Sequence, residues 1–172
     1  MDMKYKRTLL IVPTILVGFT AISALIGNTQ PVPATQAVQQ IPKPLVTIPT
    51  PTELLAETNE IRQKNGVAPL VLDERLNASA NLKLQSLIKE GGISHIDANG
   101  KSGYLFASEF MHECKYTSEN LQGTEQHSRD LKPVYGFAAS EPHWKAVNDP
   151  RYEYVGFAVN KDRLVMHFCD IN

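Results

Sequence analysis

The stretch Ser118-Glu119-Asn120-Leu121 lies between two histidines, His95 and His143, that are far from it along the chain. No local motif spans such a distance, so only a fold can bring the three side chains together. A carboxylate facing two imidazoles in one cleft provides groups for divalent-metal binding or for acid–base chemistry. The sequence therefore predicts a shared cleft, with His95, Glu119 and His143 as its candidate residues. The alternative is a structural network in which Glu119 simply ties two loops together.

The N-terminal end has the composition of a membrane segment. Residues 8–27 contain no charged residue and follow a short basic stretch. About 20 apolar residues suffice to span a bilayer, and basic residues on the N-terminal side predict that the rest of the chain lies outside. The apolar run is longer than that of an ordinary signal peptide, which favours a retained anchor. Small residues at 21, 23 and 24 leave cleavage open, so residues 1–27 are predicted to be an anchor or a signal segment.

Residues 28–51 are predicted to form an extended linker. They hold six prolines and no acidic residue, and proline favours extended chain without internal hydrogen bonds.

The net charge of −1, without a basic stripe, argues against a nucleic-acid partner. The two cysteines, Cys114 and Cys169, lie on the predicted outer side, where oxidising conditions favour a disulfide between them. Two separate buried thiols are the other reading.

Residues 52–172 are predicted to form one α+β domain, because helices come first and a hairpin comes last. The predicted elements follow hydrophobic spacing and capping residues. They are a helix capped by Thr52, a helix from Asp73 to Gly91, a short helix over Tyr104–His112, a strand over Tyr116–Leu121, a short helix capped by Asp130, and strands over Tyr152–Val159 and Leu164–Phe168 joined by a turn at Asn160–Arg163.

From about Leu54 to Phe168 the chain resembles the CAP superfamily of cysteine-rich secretory proteins, antigen 5 and pathogenesis-related proteins. The matching pieces occur in the family's order: Asn59-Glu60-Ile61-Arg62, Gly66, Pro69-Leu70, Leu76, Ala80, Ser94-His95, Glu119-Asn120-Leu121, Ser140, His143, Asp149-Pro150, Tyr152 and Val155-Gly156-Phe157. The resemblance implies an α-β-α sandwich around a small antiparallel sheet. It also implies a secreted or surface location.

The family's cleft holds two histidines and two acidic residues. The resemblance assigns the histidines to His95 and His143 and one acid to Glu119. Two candidates stand for the second acid, Glu141 and Glu109. The chain departs from the family pattern in two further places, with Ser118 where glycine is usual and Phe137 where tryptophan is usual.

The leading functional hypothesis is an extracytoplasmic binding module, membrane-tethered through residues 8–27 or secreted after cleavage. Its expected ligand is an extracellular protein, a lipid-like molecule or a component of the cell envelope. The alternative is a hydrolase in which His95 and His143 hold zinc or magnesium and Glu119 acts as base. A third reading is a structural envelope protein with a vestigial cleft. No Gly-x-Ser-x-Gly elbow or His-Glu-x-x-His helix is present.

The remaining histidines and the single tryptophan are predicted to have no direct role in the site. His112 and His127 lie in polar stretches, and His167 alternates with apolar residues on a predicted strand. Trp144 is predicted to pack beside the cleft.

Overall fold

The computed structural model describes residues 47–123 and 132–172. These residues all belong to the second of two units of the chain, Lys43–Asn172. The predicted anchor at 1–27, most of the linker at 28–51, and the residues His127 and Asp130 lie outside the described ranges. Among the helices of those ranges, none combines the length and the apolar character needed to cross a membrane. The division of the chain at residues 27 and 51 stays a prediction.

Helix α1 spans Pro51–Lys64 and begins two residues earlier than the sequence predicted. Thr50 is its N-cap. In a capping box, the Thr50 side chain accepts a hydrogen bond from the backbone N–H of Glu53, and the Glu53 side chain accepts one from the backbone N–H of Thr50. Proline is favourable at the first helical position, where its missing N–H has no partner to lose. Pro51 therefore extends the helix toward the N-terminus instead of blocking it.

The other helices follow the predicted order, except that the helix at Glu141–Val147 was missed: Pro142 lies in its first turn, where proline is favourable. Helix α2 has the predicted cap at Asp73 and ends at Gly91, whose φ of 73° suits glycine. The short helix predicted over Tyr104–His112 is confirmed in slightly shorter form. The bounds are α2 at Glu74–Glu90, α3 at Gly103–Phe110, a 3-10 helix at Pro133–Ala139 and α4 at Glu141–Val147.

The sheet is mixed, whereas an antiparallel sheet was predicted. Its strands are β1 at Val71–Leu72, β2 at Tyr116–Gln122, β3 at Tyr154–Val159 and β4 at Leu164–Asp170, in the order β1-β3-β4-β2. Strands β2, β4 and β3 are antiparallel, and β1 pairs with β3 in parallel. The sequence missed β1 because a strand of two residues shows no alternation. The predicted hairpin between β3 and β4 is confirmed.

Helices cover both faces of the sheet, as the predicted sandwich requires. Alternate side chains of β4 point to opposite faces. Met166 and its even-numbered neighbours pack against α1, the 3-10 helix and α4, while Val165 packs against α2. At Gly156 an added Cβ would overlap the backbone of Leu76 and Asn77, so helix α2 lies directly on β3.

Two long-range links hold the domain together. The Arg62 side chain is fully buried, and its guanidinium donates to four backbone carbonyls, those of Ala68, Val147, Asp149 and Tyr152, at 2.6 to 3.1 Å. The predicted disulfide between Cys114 and Cys169 is confirmed, and it joins the segment after α3 to β4. The Arg62 link ties the end of α1 to the segment between α4 and β3.

Candidate functional site

The site is built around the edge strand β2. Successive side chains of a strand point to opposite faces, so Glu119 and Asn120 serve different layers. Glu119 faces the layer of α2 and α3. Asn120 faces the other layer, where its Nδ2 donates to the backbone carbonyl of His143 at 2.9 Å. Because β2 lies at the edge of the sheet, residues from both helical layers can meet around it.

Both carboxylate oxygens of Glu119 contact an imidazole. Oε1 lies 2.8 Å from Nδ1 of His95, and Oε2 lies 3.0 Å from Nε2 of His167. Burial raises the pKa of Glu119, but hydrogen bonds from His167 and His95 lower it more, so its pKa is below the ordinary value. Only 3% of the Glu119 side chain is exposed. The site thus contains a buried, ionised carboxylate held from two sides.

His95 combines a fixed position with an exposed ring. It lies in the loop after α2, where its backbone carbonyl accepts the N–H of Gly103 at 2.7 Å. Gly103 has no room for a side chain, because a Cβ there would overlap the Glu119 carboxylate. The His95 side chain is 55% exposed. Its Nδ1 faces Glu119, and no described residue forms a hydrogen bond with its Nε2.

His143 lies beside His95 but forms no hydrogen bond or ion pair with Glu119. Its ring centroid is 5.9 Å from that of His95 and 5.6 Å from that of Phe137. Burial, and secondarily the neighbouring His95, lower the pKa of His143. Phe137, at the position where the family usually has tryptophan, therefore packs beside the His143 ring.

A cavity of about 410 Å³ opens at His95 and Glu119. It is lined by His95, Ile96, Ser102, Gly103, Tyr104, Thr117, Ser118 and Glu119. The Ile96 and Tyr104 side chains are exposed. The cavity therefore has an apolar rim and an imidazole–carboxylate pair on its wall.

The two candidates for the second acid lie elsewhere. Glu141 is the first residue of α4 and is exposed. Glu109, on α3, pairs with Lys101. Neither forms a hydrogen bond or an ion pair with Glu119, His95 or His143 within the described part of the chain. Trp144 packs against the apolar core and Tyr135.

Sequence reasoning missed His167. Its alternation with apolar residues predicts no role in the site, yet it is fully buried and lies directly across from Glu119 in the pairing of β2 with β4. Its Nδ1 lies 2.7 Å from Oγ of Ser79 on α2. A histidine within the otherwise apolar run Leu164–Phe168 was the available signal, because a buried polar side chain needs a hydrogen-bond partner.

The predicted metal site would take all three of its protein ligands from His95, His143 and Glu119. A catalytic zinc usually has three protein ligands, and both oxygens of Glu119 are already occupied by imidazoles. Over residues 47–123 and 132–172, no group of three histidine, cysteine, aspartate or glutamate side chains is arranged to hold a metal ion. The assignment of His95, His143 and Glu119 as ligands of zinc or magnesium stays a prediction.

Comparison with known proteins settles the family. The model of the family described as "CAP: Cysteine-rich secretory protein family" matches residues 55–168. The chain belongs to the CAP family. Among curated proteins, this CAP domain is similar to YkwD of Bacillus subtilis (strain 168), with 28% identity over 99 residues, which is 58% of this chain and 38% of YkwD.

Solved structures share the CAP fold. An extracellular protein containing an SCP domain from Bacillus anthracis has a TM-score of 0.63 at 18% identity, covering 70% of this chain and 40% of that one. An outer surface protein from Borrelia burgdorferi has a TM-score of 0.61 at 21% identity, covering 68% and 89%. The chain thus spans about two fifths of the length of YkwD and of the Bacillus anthracis protein.

Proposed function

We propose that this CAP domain acts outside the cytoplasm as a binding module and takes its ligand in the cleft around His95 and Glu119. The chain would be tethered through residues 8–27 or secreted after cleavage. Two similar structures come from proteins described as extracellular and as outer surface. The Cys114–Cys169 disulfide supports the same location, because disulfides persist in oxidising compartments.

The observation that carries this proposal is the setting of His95. One ring nitrogen is held by a buried carboxylate, while more than half of the side chain is exposed at the mouth of a cavity. A polar group that is both fixed and exposed is suited to orienting a ligand, because little conformational freedom is lost on binding. The exposed Ile96 and Tyr104 at the rim favour a ligand with an apolar part. Lipid-like molecules, cell-envelope components and apolar protein segments meet this description.

Binding by the full chain in detergent tests the proposal. The assays are co-sedimentation with purified peptidoglycan sacculi and fluorescence anisotropy with a labelled phosphatidylglycerol analogue. The variants His95→Ala and Tyr104→Ala should weaken binding to one of these probes by about tenfold, the effect of losing about 1.4 kcal/mol. Ile88→Ala, an exposed apolar change on α2, is the matched control.

All variants share the same N-terminal segment, so differences among them report on the cleft. Equal binding by wild type, His95→Ala and Tyr104→Ala would contradict a role for the cleft. Binding to neither probe would contradict the lipid-like and envelope versions of the proposal.

The second candidate function is a metal-dependent hydrolase. One observation favours it: Glu119 holds Nδ1 of His95, and Nε2 has no hydrogen-bond partner among the described residues, an arrangement common behind metal-ligating histidines. His95 and His143 would then hold zinc or magnesium, which would polarise a substrate carbonyl. In this arrangement Glu119 would orient His95, because both of its oxygens are hydrogen-bonded to imidazoles and only 3% of its side chain is exposed.

Elemental analysis and turnover of peptide and ester substrates test this candidate. A hydrolase should bind zinc or magnesium and lose both the ion and the turnover in His143→Ala. Purified protein that holds no ion, and that shows no turnover after zinc or magnesium is added, would exclude it.

A further inference from the structure

A chain of hydrogen bonds runs from the core to the cleft. It begins at Ser79 on α2, whose Oγ lies 2.7 Å from Nδ1 of His167. His167 Nε2 lies 3.0 Å from Glu119, and the other oxygen of Glu119 lies 2.8 Å from Nδ1 of His95. Ser79 and His167 are fully buried, whereas His95 is exposed at the cavity. The chain therefore connects a dry, packed interior to the group that we propose meets the ligand.

The charge of Glu119 decides where the protons of this chain lie. An ionised carboxylate only accepts hydrogen bonds, so each imidazole nitrogen that faces it must carry a hydrogen. His95 is then protonated at Nδ1, and His167 at Nε2. The fully buried ammonium group of Lys83 adds a favourable charge interaction with the Glu119 carboxylate. In the neutral ring of each histidine, the other nitrogen is an acceptor.

Ser79 completes the arrangement at the buried end. Its hydroxyl lies within reach of two acceptors, the Leu76 carbonyl at 3.0 Å and Nδ1 of His167. The Leu76 carbonyl lies within helix α2, where the backbone supplies it with a donor. Nδ1 of neutral His167 has Ser79 as its hydrogen-bond partner among the described residues. The Ser79 hydroxyl therefore donates its hydrogen bond to Nδ1 of His167.

We propose that His167 and Ser79 are positioning residues of the cleft, which hold Glu119 so that His95 stays in its Nδ1–H form and presents Nε2 to the ligand. The register of the sheet supports this role, since His167 is the direct cross-strand neighbour of Glu119. Which nitrogen of a histidine carries the proton is set by the hydrogen bond that the other one makes. Neutral His95 therefore offers the cleft a hydrogen-bond acceptor.

This inference names the chemistry of the ligand, and in that respect it rests on the proposed function. A ligand group that meets Nε2 of neutral His95 must donate a hydrogen bond, as a hydroxyl or an ammonium does. Ligands with an apolar part and such a donor fit both the rim and the wall of the cavity.

Nitrogen-15 NMR of the histidine rings in the full chain tests the positioning role without any ligand. The spectra are recorded at a pH where titration shows His95 to be neutral. We expect a protonated Nδ1 and an unprotonated Nε2 for His95, and the reverse for His167. His167→Phe keeps a ring but removes the donor to Glu119, so the His95 signals should move to the averaged shifts of two exchanging tautomers. His167→Gln restores an N–H donor and should return them toward wild type.

His112→Phe, the same substitution at an exposed histidine, is the matched control and should leave His95 unchanged. Ser79→Ala removes one hydroxyl and should shift the His167 signals and, through Glu119, those of His95. Wild-type His95 with its proton on Nε2 would overturn the proposal. So would unchanged His95 signals in folded His167→Phe, or in Ser79→Ala if His167→Phe does not fold. Failure of the cleft to bind sacculi or lipid would leave this result intact, so the two proposals fail separately.

Discussion

Replacing Gly103 with alanine disturbs the site without changing any titratable group. Gly103 begins α3, and a Cβ at this position would overlap the carboxylate of Glu119. The carboxylate is almost fully buried and is held by His95 and His167, so it has little room to move aside. The methyl group must therefore displace either Glu119 or the start of the helix.

The expected loss of stability follows from three contributions. Forcing an extra carbon into a packed site costs about 1–3 kcal/mol. Displacing the carboxylate from one imidazole adds about 1.5–3 kcal/mol for a hydrogen bond to a charged group. Alanine is a better helix former than glycine, which offsets up to about 1 kcal/mol. We therefore expect Gly103→Ala to lower the free energy of unfolding by about 1.5–6 kcal/mol.

Urea denaturation measures this loss, and the ring NMR signals of His95 report whether the carboxylate has moved. Gly92→Ala is the control, because a Cβ there meets nothing within 4 Å and Gly92 does not have a positive φ. It should keep the wild-type urea midpoint. If Gly103→Ala and Gly92→Ala have the same midpoint, and the His95 signals are unchanged in both, the packing of Glu119 against Gly103 is refuted.

Three further predictions concern the domain as a whole. Arg62→Met should lower the free energy of unfolding by about 3–5 kcal/mol, because it leaves four backbone carbonyls, two of them in buried hydrogen bonds, without their donor. Exposed Arg75→Met is its control in urea denaturation, and equal midpoints would contradict this role. Opening the Cys114–Cys169 bond, with the double serine variant or a reductant, should lower the free energy of unfolding by about 4 kcal/mol. The reason is that the unfolded chain gains conformational entropy when the loop of 55 residues is no longer closed. An unchanged thermal midpoint would be inconsistent with this. Burial raises the pKa of Glu57 to about 7, above the unfolded value of 4.5, so its contribution to stability is complete below pH 4.5 and is lost as the pH rises through 7. Glu57→Gln should thus be more stable than wild type above pH 7 and equal to it near pH 4, and parallel stability–pH curves would argue against it.

Much of the fold was predictable because its signals are local. The Asp73 cap, the apolar spacing of α2 and the stop at Gly91 act within a few residues of one another, and the helix formed where they predicted it. The ordered family pieces added the sandwich. The start of α1 was misplaced by two residues, because Pro51 both interrupts a preceding segment and favours the first turn of a helix.

The candidate site was only partly predictable. The contact between His95 and Glu119 was expected, and His143 lies beside His95 but not on the carboxylate. The second oxygen of Glu119 is held instead by His167, which had been interpreted as an ordinary strand residue. All seven residues of β4 are buried, so alternation along this strand could not separate a core position from one facing the site.

The sequence by itself determined the local elements, the cysteine pair and the family, because these depend on residue types at short spacing or in a fixed order. The tertiary structure alone decided the partners of Glu119, the parallel pairing of β1 and the position of Arg62 among four carbonyls. Each of these depends on the register in which distant segments meet. A shift of one residue in a strand moves every side chain to the opposite face, and no local pattern records which register the packed core selects.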